Sequence, residues 1–256
     1  MRYAGKLPGP GKTAAGNFTA DSSIQPIDGS KVWRGICAAL NGDVYACADG
    51  GDIYMQTGGA GRFQPLAQSS LSWQYPCAAP NGDIYVAANG SGIYKRAKGS
   101  GNFTLEFSQN SVWQGMAAAP NGDVYANIYS GDIYKQTGGL GDFVALGQTS
   151  RNWRGMAASP NGDIYAVTDT GDVYKLIGGT FTAQSVSGAW RGIAVGANGD
   201  VYVCATGGDI SKQTGGAGNF VAQGQTPRTY RGICVAMNGT VYVTVAAGNI
   251  YTRNPS

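Results

Sequence analysis

An all-β repeat fold is what the sequence predicts, and three observations predict it. First, a lead aromatic recurs at Trp33, Trp73, Trp113, Trp153, Trp190 and Tyr230, with spacings of 40, 40, 40, 37 and 40 residues. Second, each is followed by a turn: Asn41-Gly42-Asp43, Asn81-Gly82-Asp83, Asn121-Gly122-Asp123, Asn161-Gly162-Asp163, Asn198-Gly199-Asp200 and Asn238-Gly239-Thr240. Asn and Gly tolerate the left-handed backbone that tight hairpins need. Third, alternating segments such as Asp132-Ile133-Tyr134-Lys135-Gln136 follow the turns, and alternation is the period of a half-buried strand. A fixed period of this length means one supersecondary unit copied along the chain. Six such units, each a four-stranded antiparallel sheet stacked radially, make a six-bladed β-propeller.

Within a unit the strands can be read in order. The first, as in Gly115-Met116-Ala117-Ala118-Ala119, is apolar and small, which suits strands that crowd a common axis. Val124-Tyr125-Ala126 is the second, Asp132 to Gln136 the third, and Asp142-Phe143-Val144-Ala145-Leu146 the outermost, after the turn Thr137 to Gly141. A polar link, Gly147 to Asn152, leads to the next lead aromatic. The stretch Lys175 to Phe181 is irregular: its turn lacks two residues and the link after it lacks one. Residues 1–15 read as an extended Gly/Pro-rich arm, and residues 16–256 as one propeller domain. Gly16-Asn17-Phe18-Thr19-Ala20 matches the outer strand Gly218-Asn219-Phe220-Val221-Ala222, whereas the last repeat, Tyr230 to Tyr251, has none of its own. The N-terminal strand is therefore expected to pair with the C-terminal unit, closing the ring and removing two open sheet edges.

Composition narrows the function classes. Of 256 residues 13% are charged, 43% are apolar and 42 are glycine, which fits a turn-rich all-β protein. A net charge of +3 without a basic stripe argues against nucleic acid as a partner. No apolar run approaches the roughly 18 residues of a membrane span, so no membrane insertion is expected. The N-terminus has no apolar core of a signal peptide, so the chain is expected to be made in the cytoplasm. Cys37, Cys77 and Cys234 share a repeat position with Ala117, Ala157 and Ala194, and Cys47 and Cys204 share another. Exchange with alanine points to small buried thiols. The absence of histidine removes the commonest general base and metal ligand, and neither cofactor nor metal is expected.

Gly192-Ile193-Ala194-Val195 with Asn198-Gly199-Asp200-Val201-Tyr202-Val203 resembles the first two strands of NHL-type and tectonin-type blades. Ile133-Tyr134-Lys135-Gln136-Thr137-Gly138-Gly139 with Phe143 resembles a degenerate Asp-box turn of sialidase-like propellers, with Gly138 where the aspartate would stand. The resemblance implies a propeller. Such propellers include lectins and host-binding proteins of phage, a choice that fold alone does not make.

Several residue sets could carry function. Asp43, Asp83, Asp123, Asp163 and Asp200, with Asp52, Asp132, Asp172 and Asp209, could form calcium or paired-carboxylate sites, or could cap hairpins through backbone bonds. Their repetition favours capping, and the sole glutamate, Glu106, has no obvious counterpart. No catalytic set is assigned, and the chain reads as non-catalytic. Lys95, Lys135, Lys175 and Lys212 read as outward, solvating side chains. The loops after the second strand vary most, and Tyr129 is the large aromatic among them.

The lead pairs are the better candidates: Trp33-Arg34, Trp73-Gln74, Trp113-Gln114, Trp153-Arg154, Trp190-Arg191 and Tyr230-Arg231. An indole beside a guanidinium or amide can stack on a sugar and bond its hydroxyls. Equally, each ring could wedge between neighbouring blades. The leading expectation is lectin-like recognition of a cell-surface glycan or polysaccharide by these twelve residues, with avidity from repeated sites. The alternative is a receptor-binding or structural component of a virion, such as a tail or decoration protein, held to other virion proteins through residues 1–12.

Overall fold

A computed structural model describes residues 16–20, 31–246 and 248–254. The arm of residues 1–15, with the assembly contact expected of residues 1–12, lies outside the described residues. The fold is all-β, built of curled antiparallel sheets, and is consistent with a β-propeller.

The first strand in the chain is β1 (Thr19–Ala20). The first repeat unit follows with β2 (Trp33–Ala38), β3 (Val44–Ala48), β4 (Ile53–Gln56) and β5 (Gln64–Pro65). The second has β6 (Trp73–Ala78), β7 (Ile84–Ala88), β8 (Gly92–Arg96) and β9 (Thr104–Ser108). The third has β10 (Trp113–Ala118), β11 (Val124–Gly131), β12 (Ile133–Gln136) and β13 (Val144–Ala145). In the fourth are β14 (Arg151–Ala158), β15 (Ile164–Thr168), β16 (Val173–Ile177) and β17 (Thr180–Ala183). In the fifth are β18 (Trp190–Val195), β19 (Val201–Gly208), β20 (Ile210–Gln213) and β21 (Val221–Ala222). The last contributes β22 (Arg228–Val235), β23 (Val241–Val245) and β24 (Ile250–Arg253).

The hairpin between the first two strands of each unit turns on its Asn-Gly pair. In the first unit Gly42 takes φ +90°, and the Asp43 carboxylate accepts the backbone N–H of Gly58 at 2.8 Å. β1 is the outer strand of the last unit: Thr19 lies opposite Thr252 and Ala20 opposite Tyr251. The shortened turn of the fourth unit leaves its strands intact and lengthens the hairpin, with Ile177 opposite Thr180.

Hydrogen bonding joins these units differently from six separate sheets. Among the described residues there are two four-stranded and two eight-stranded sheets. The larger ones arise because β11 and β19 run past their own units. Tyr129 and Gly131 pair with Asn152 and Arg151, and Thr206 and Gly208 pair with Thr229 and Arg228.

The apolar core is a series of wedges between neighbouring units. Tyr45, Cys47 and Ile53 of the first unit pack against Trp73, Val86 and Phe103 of the second. Comparable clusters follow round the chain, and Cys234, Tyr242 and Ile250 return to meet Trp33, Val44 and Phe63. The innermost strands likewise contact in sequence, with β22 meeting β2. All five cysteines are free and buried within this packing, as expected of them. Burial pushes the Cys37 and Cys204 thiols up to about 12.

A polar latch repeats between units. The Gln68 side-chain oxygen accepts the Phe103 N–H at 2.9 Å, and Gln148 does the same for Phe181. Gln225 accepts the Phe18 N–H at 2.8 Å, so the closure between chain ends uses the same bond as internal junctions. Phe18 is buried, with the Arg253 guanidinium 5.0 Å from its ring centre. Phe18→Ala is expected to lower the unfolding free energy by about 3 kcal/mol in urea titration; a loss below about 1 kcal/mol would contradict its place in the closure.

Candidate functional site

The site is built where the innermost strands begin. In each unit the pairing with the second strand shifts register just after the lead aromatic, for example between Trp33 and Ile36 and between Tyr230 and Ile233. Such a bulge leaves residues outside the regular ladder and re-aims their side chains. The Arg or Gln following each aromatic occupies this bulge.

The aromatics themselves are not available to a ligand. Trp33, Trp73, Trp113, Trp153, Trp190 and Tyr230 are all buried in the wedges between units. Four indoles donate to backbone carbonyls: Trp33 to Gly248, Trp73 to Ser69, Trp113 to Gln109 and Trp190 to Val186, at 2.9–3.1 Å. The Tyr230 hydroxyl donates to Thr226 O at 2.8 Å. The expected stacking of a sugar on these rings is therefore corrected. Repetition of the aromatic reflects packing, because each wedge needs a large side chain at one place. Gln74 and Gln114 are buried too. Gln74 donates to the backbone and hydroxyl of Ser72, and Gln114 accepts from Arg154 at 3.0 Å.

The four arginines remain, and the structure brings them together with residues the repeat alone did not single out. Asp49 is ion-paired with Arg34 and accepts the Ser72 hydroxyl at 3.0 Å. Asp169 is 2.8 Å from the Arg154 guanidinium and 3.9 Å from that of Arg191, and it accepts the Tyr129 hydroxyl at 3.0 Å. The Arg154 guanidinium also lies 4.2 Å from the centre of the Tyr129 ring. Arg191 Nε donates to the Thr206 hydroxyl at 2.7 Å. Burial alone would raise the Asp169 carboxyl, but the bonds from Arg154 and Tyr129 outweigh it and hold the group below its ordinary value. Asp49 is held low in the same way by Arg34.

Tyr75 closes the site from below. Its repeat position holds Gly35, Gly115, Gly155, Gly192 and Gly232 in the other units. Glycine is needed there because inner strands approach closely: a Cβ on Gly232 would lie 2.8 Å from Arg34 O, and one on Gly155 2.9 Å from the Gly192 Cα. The single tyrosine in this ring reaches across the axis. Its hydroxyl donates to Arg231 O at 2.6 Å and lies 3.2 Å from Arg191 O. Burial pushes its phenol up to about 12, partly offset by Arg154, Arg231 and Arg191. The next residues of all six inner strands, from Ile36, Pro76 and Met116 round to Ile233, line an axial cavity of about 140 Å³.

The remaining candidates are structural. The turn aspartates accept backbone N–H groups: Asp83 from Lys98, Asp123 from Gly138 and Asp200 from Gly215, at 2.8–2.9 Å. Asp52 takes those of Ile53, Ala67 and Gln68. The lysines are less outward than expected, since Lys135, Lys175 and Lys212 pair with Asp123, Asp163 and Asp200 at 2.6–3.2 Å. Lys95 pairs with Glu106 at 2.6 Å.

No family model matches the chain, and no curated protein matches it in sequence. Solved structures of the same shape are many. A streptogramin B lyase is 18% identical, covers 95% of this chain and 99% of its own, and superposes with a TM-score of 0.69. A putative gluconolactonase is 15% identical over 93% of this chain and 92% of its own, with a TM-score of 0.72. The calcium-binding protein regucalcin from Agrobacterium tumefaciens is 15% identical over 88% and 93%, with a TM-score of 0.68. These are propeller-like proteins, and at such identities they show the fold. They also correct the expectation of a non-catalytic chain: structures named for enzymes share this architecture, so the fold is one that carries enzymes as well as binding proteins.

The Asp169 cluster gives a test through pH. A depressed carboxyl stabilises the fold above its unfolded pKa of about 3.9, and that contribution is lost as pH falls through the folded value. Asp169→Asn is expected to cost about 3 kcal/mol at pH 7, because it removes the carboxylate that neutralises Arg154 and Arg191. In urea titrations the difference from wild type should shrink as pH falls below about 4. An equal difference at both pH values would show that the ion pairs contribute nothing.

Proposed function

We propose that the chain is a six-bladed β-propeller that recognises a glycan at the arginine-bearing end of its axis. Arg34, Arg154, Arg191 and Arg231 make the contacts, and no indole stacks on the sugar. The six wedge-shaped cores and the pairing of β1 with β24 support the blade count. The observation that carries the binding reading concerns donors. The Nε atoms of Arg34, Arg154 and Arg231 are buried and have no hydrogen-bond partner among the described residues. A buried donor left unpaired costs about 1–3 kcal/mol, and hydroxyl or carboxylate oxygens of a ligand would satisfy it. The opposite mouth suits this less well, being rimmed by Leu40, Pro80, Pro120, Pro160, Ala197 and Met237.

A glycan array with wild type, Arg191→Gln and Trp153→Phe tests the reading, with turnover of any bound glycan followed alongside. Arg191→Gln is expected to weaken binding roughly tenfold or more, and Trp153→Phe to leave it within about twofold in protein that is still folded. Absence of glycan binding, or binding untouched by Arg191→Gln, would overturn it.

A further inference from the structure

The repeat supplies each arginine with a partner fifteen residues on, with one exception. Arg34 meets Asp49, Arg154 meets Asp169 and Arg191 meets Thr206. The corresponding residue for Arg231 is Ala246, and Arg231 has no ion pair or side-chain hydrogen bond among the described residues. Four guanidiniums thus share two carboxylates, Asp49 and Asp169, and the surplus of positive charge lies at Arg231.

From this arrangement we infer that the ligand presents an oxyanion to the axis, a carboxylate, phosphate or sulfate, bound by Arg231 together with Arg34 and Arg191 above the floor made by Tyr75. The placement rests on the proposed binding end; the chemistry of the bound group does not depend on the ligand being a glycan. Three physical points converge on it. A half-buried cation that shares the Asp49 carboxylate with Arg34 and has no ion pair of its own is short of counter-charge, and an anion makes up the deficit. A guanidinium offers a planar fork of donors matched to two oxygens of one oxyanion, which a neutral hydroxyl cannot use in full. Tyr75, standing where every other unit has glycine, crosses the axis with its hydroxyl on Arg231 O, and so floors the space in which an anion would meet the guanidiniums. The mutual effect of the arginines agrees: burial first, then Arg34 and Arg191, disfavours the charged form of Arg231, and burial with Arg154 does so for Arg191.

The test uses the whole chain at constant ionic strength, with chloride as reference and sulfate, phosphate, glucuronate and glucose as probes. Thermal unfolding and calorimetric titration are compared for wild type, Arg231→Gln and the exposed control Arg62→Gln. Wild type and the control are expected to be stabilised by at least one of the three anions and not by glucose. Arg231→Gln should bind that anion roughly tenfold more weakly or worse. In chloride alone it should unfold at the same or a higher temperature than wild type, because a like charge has gone. Which anion binds identifies the oxyanion as carboxylate, phosphate or sulfate. No anion binding by wild type, or equal binding by Arg231→Gln, overturns the inference. So does a fall in its unfolding temperature in chloride with anion affinity unchanged, which marks a structural arginine. Binding of neutral glycans that is lost with Arg191→Gln but indifferent to Arg231→Gln would sink this inference and leave glycan recognition at this end standing; anion binding without any glycan binding would do the reverse.

Discussion

Convergence of the inner strands on one axis is the constraint from which the rest of this structure follows. Where those strands enter, backbones approach so closely that five of the six units carry glycine, and a Cβ on Gly192 would come within 3.1 Å of Ile233 N. Small residues further along each strand let the packing continue, and alanine and cysteine interchange there because both fit. The same convergence gathers side chains that are distant in sequence. Arg34 and Arg231 become neighbours only because the chain ends meet. A site of this kind cannot exist in an open array of units.

Closure therefore matters for chemistry as well as for stability. The bond from Phe18 N–H to Gln225 copies the ones that join internal units, so the junction between the ends is made like the others. The apolar wedge between the last and first units, with Trp33, Phe63 and Tyr242, is of the same kind as its fellows. An edge strand left unpaired would invite association with another chain; β1 covers that edge.

Much of this was legible in the sequence, and for a physical reason. A copied unit multiplies every local signal, so the Asn-Gly turns, the alternating third strands and the displaced outer strand at Phe18 could be read directly. The role of the indoles was not. A ring repeated for packing and a ring repeated for binding leave the same pattern, and only burial separates them. Departures from the repeat held the site instead. Tyr75 interrupts a column of glycines, Asp49 and Asp169 stand at one repeat position, and Ala246 is where Arg231 would look for a partner. The joined sheets were hidden for the opposite reason: Ile128-Tyr129-Ser130 and Ala205-Thr206-Gly207 read as variable loops, yet they extend β11 and β19 far enough to pair with the next unit.

What sets this end of the molecule apart is an imbalance of charge held in place by a rigid ring. The buried Nε atoms of Arg34, Arg154 and Arg231 and the tyrosine beneath them are the features on which the proposed anion rests. The most direct measurement is a crystal soaked in selenate, with the anomalous signal located relative to the side chains. The account predicts a peak over Tyr75 within reach of Arg231, Arg34 and Arg191. Peaks confined to surface lysines, or a Tyr75 ring turned out of the axis, would contradict it.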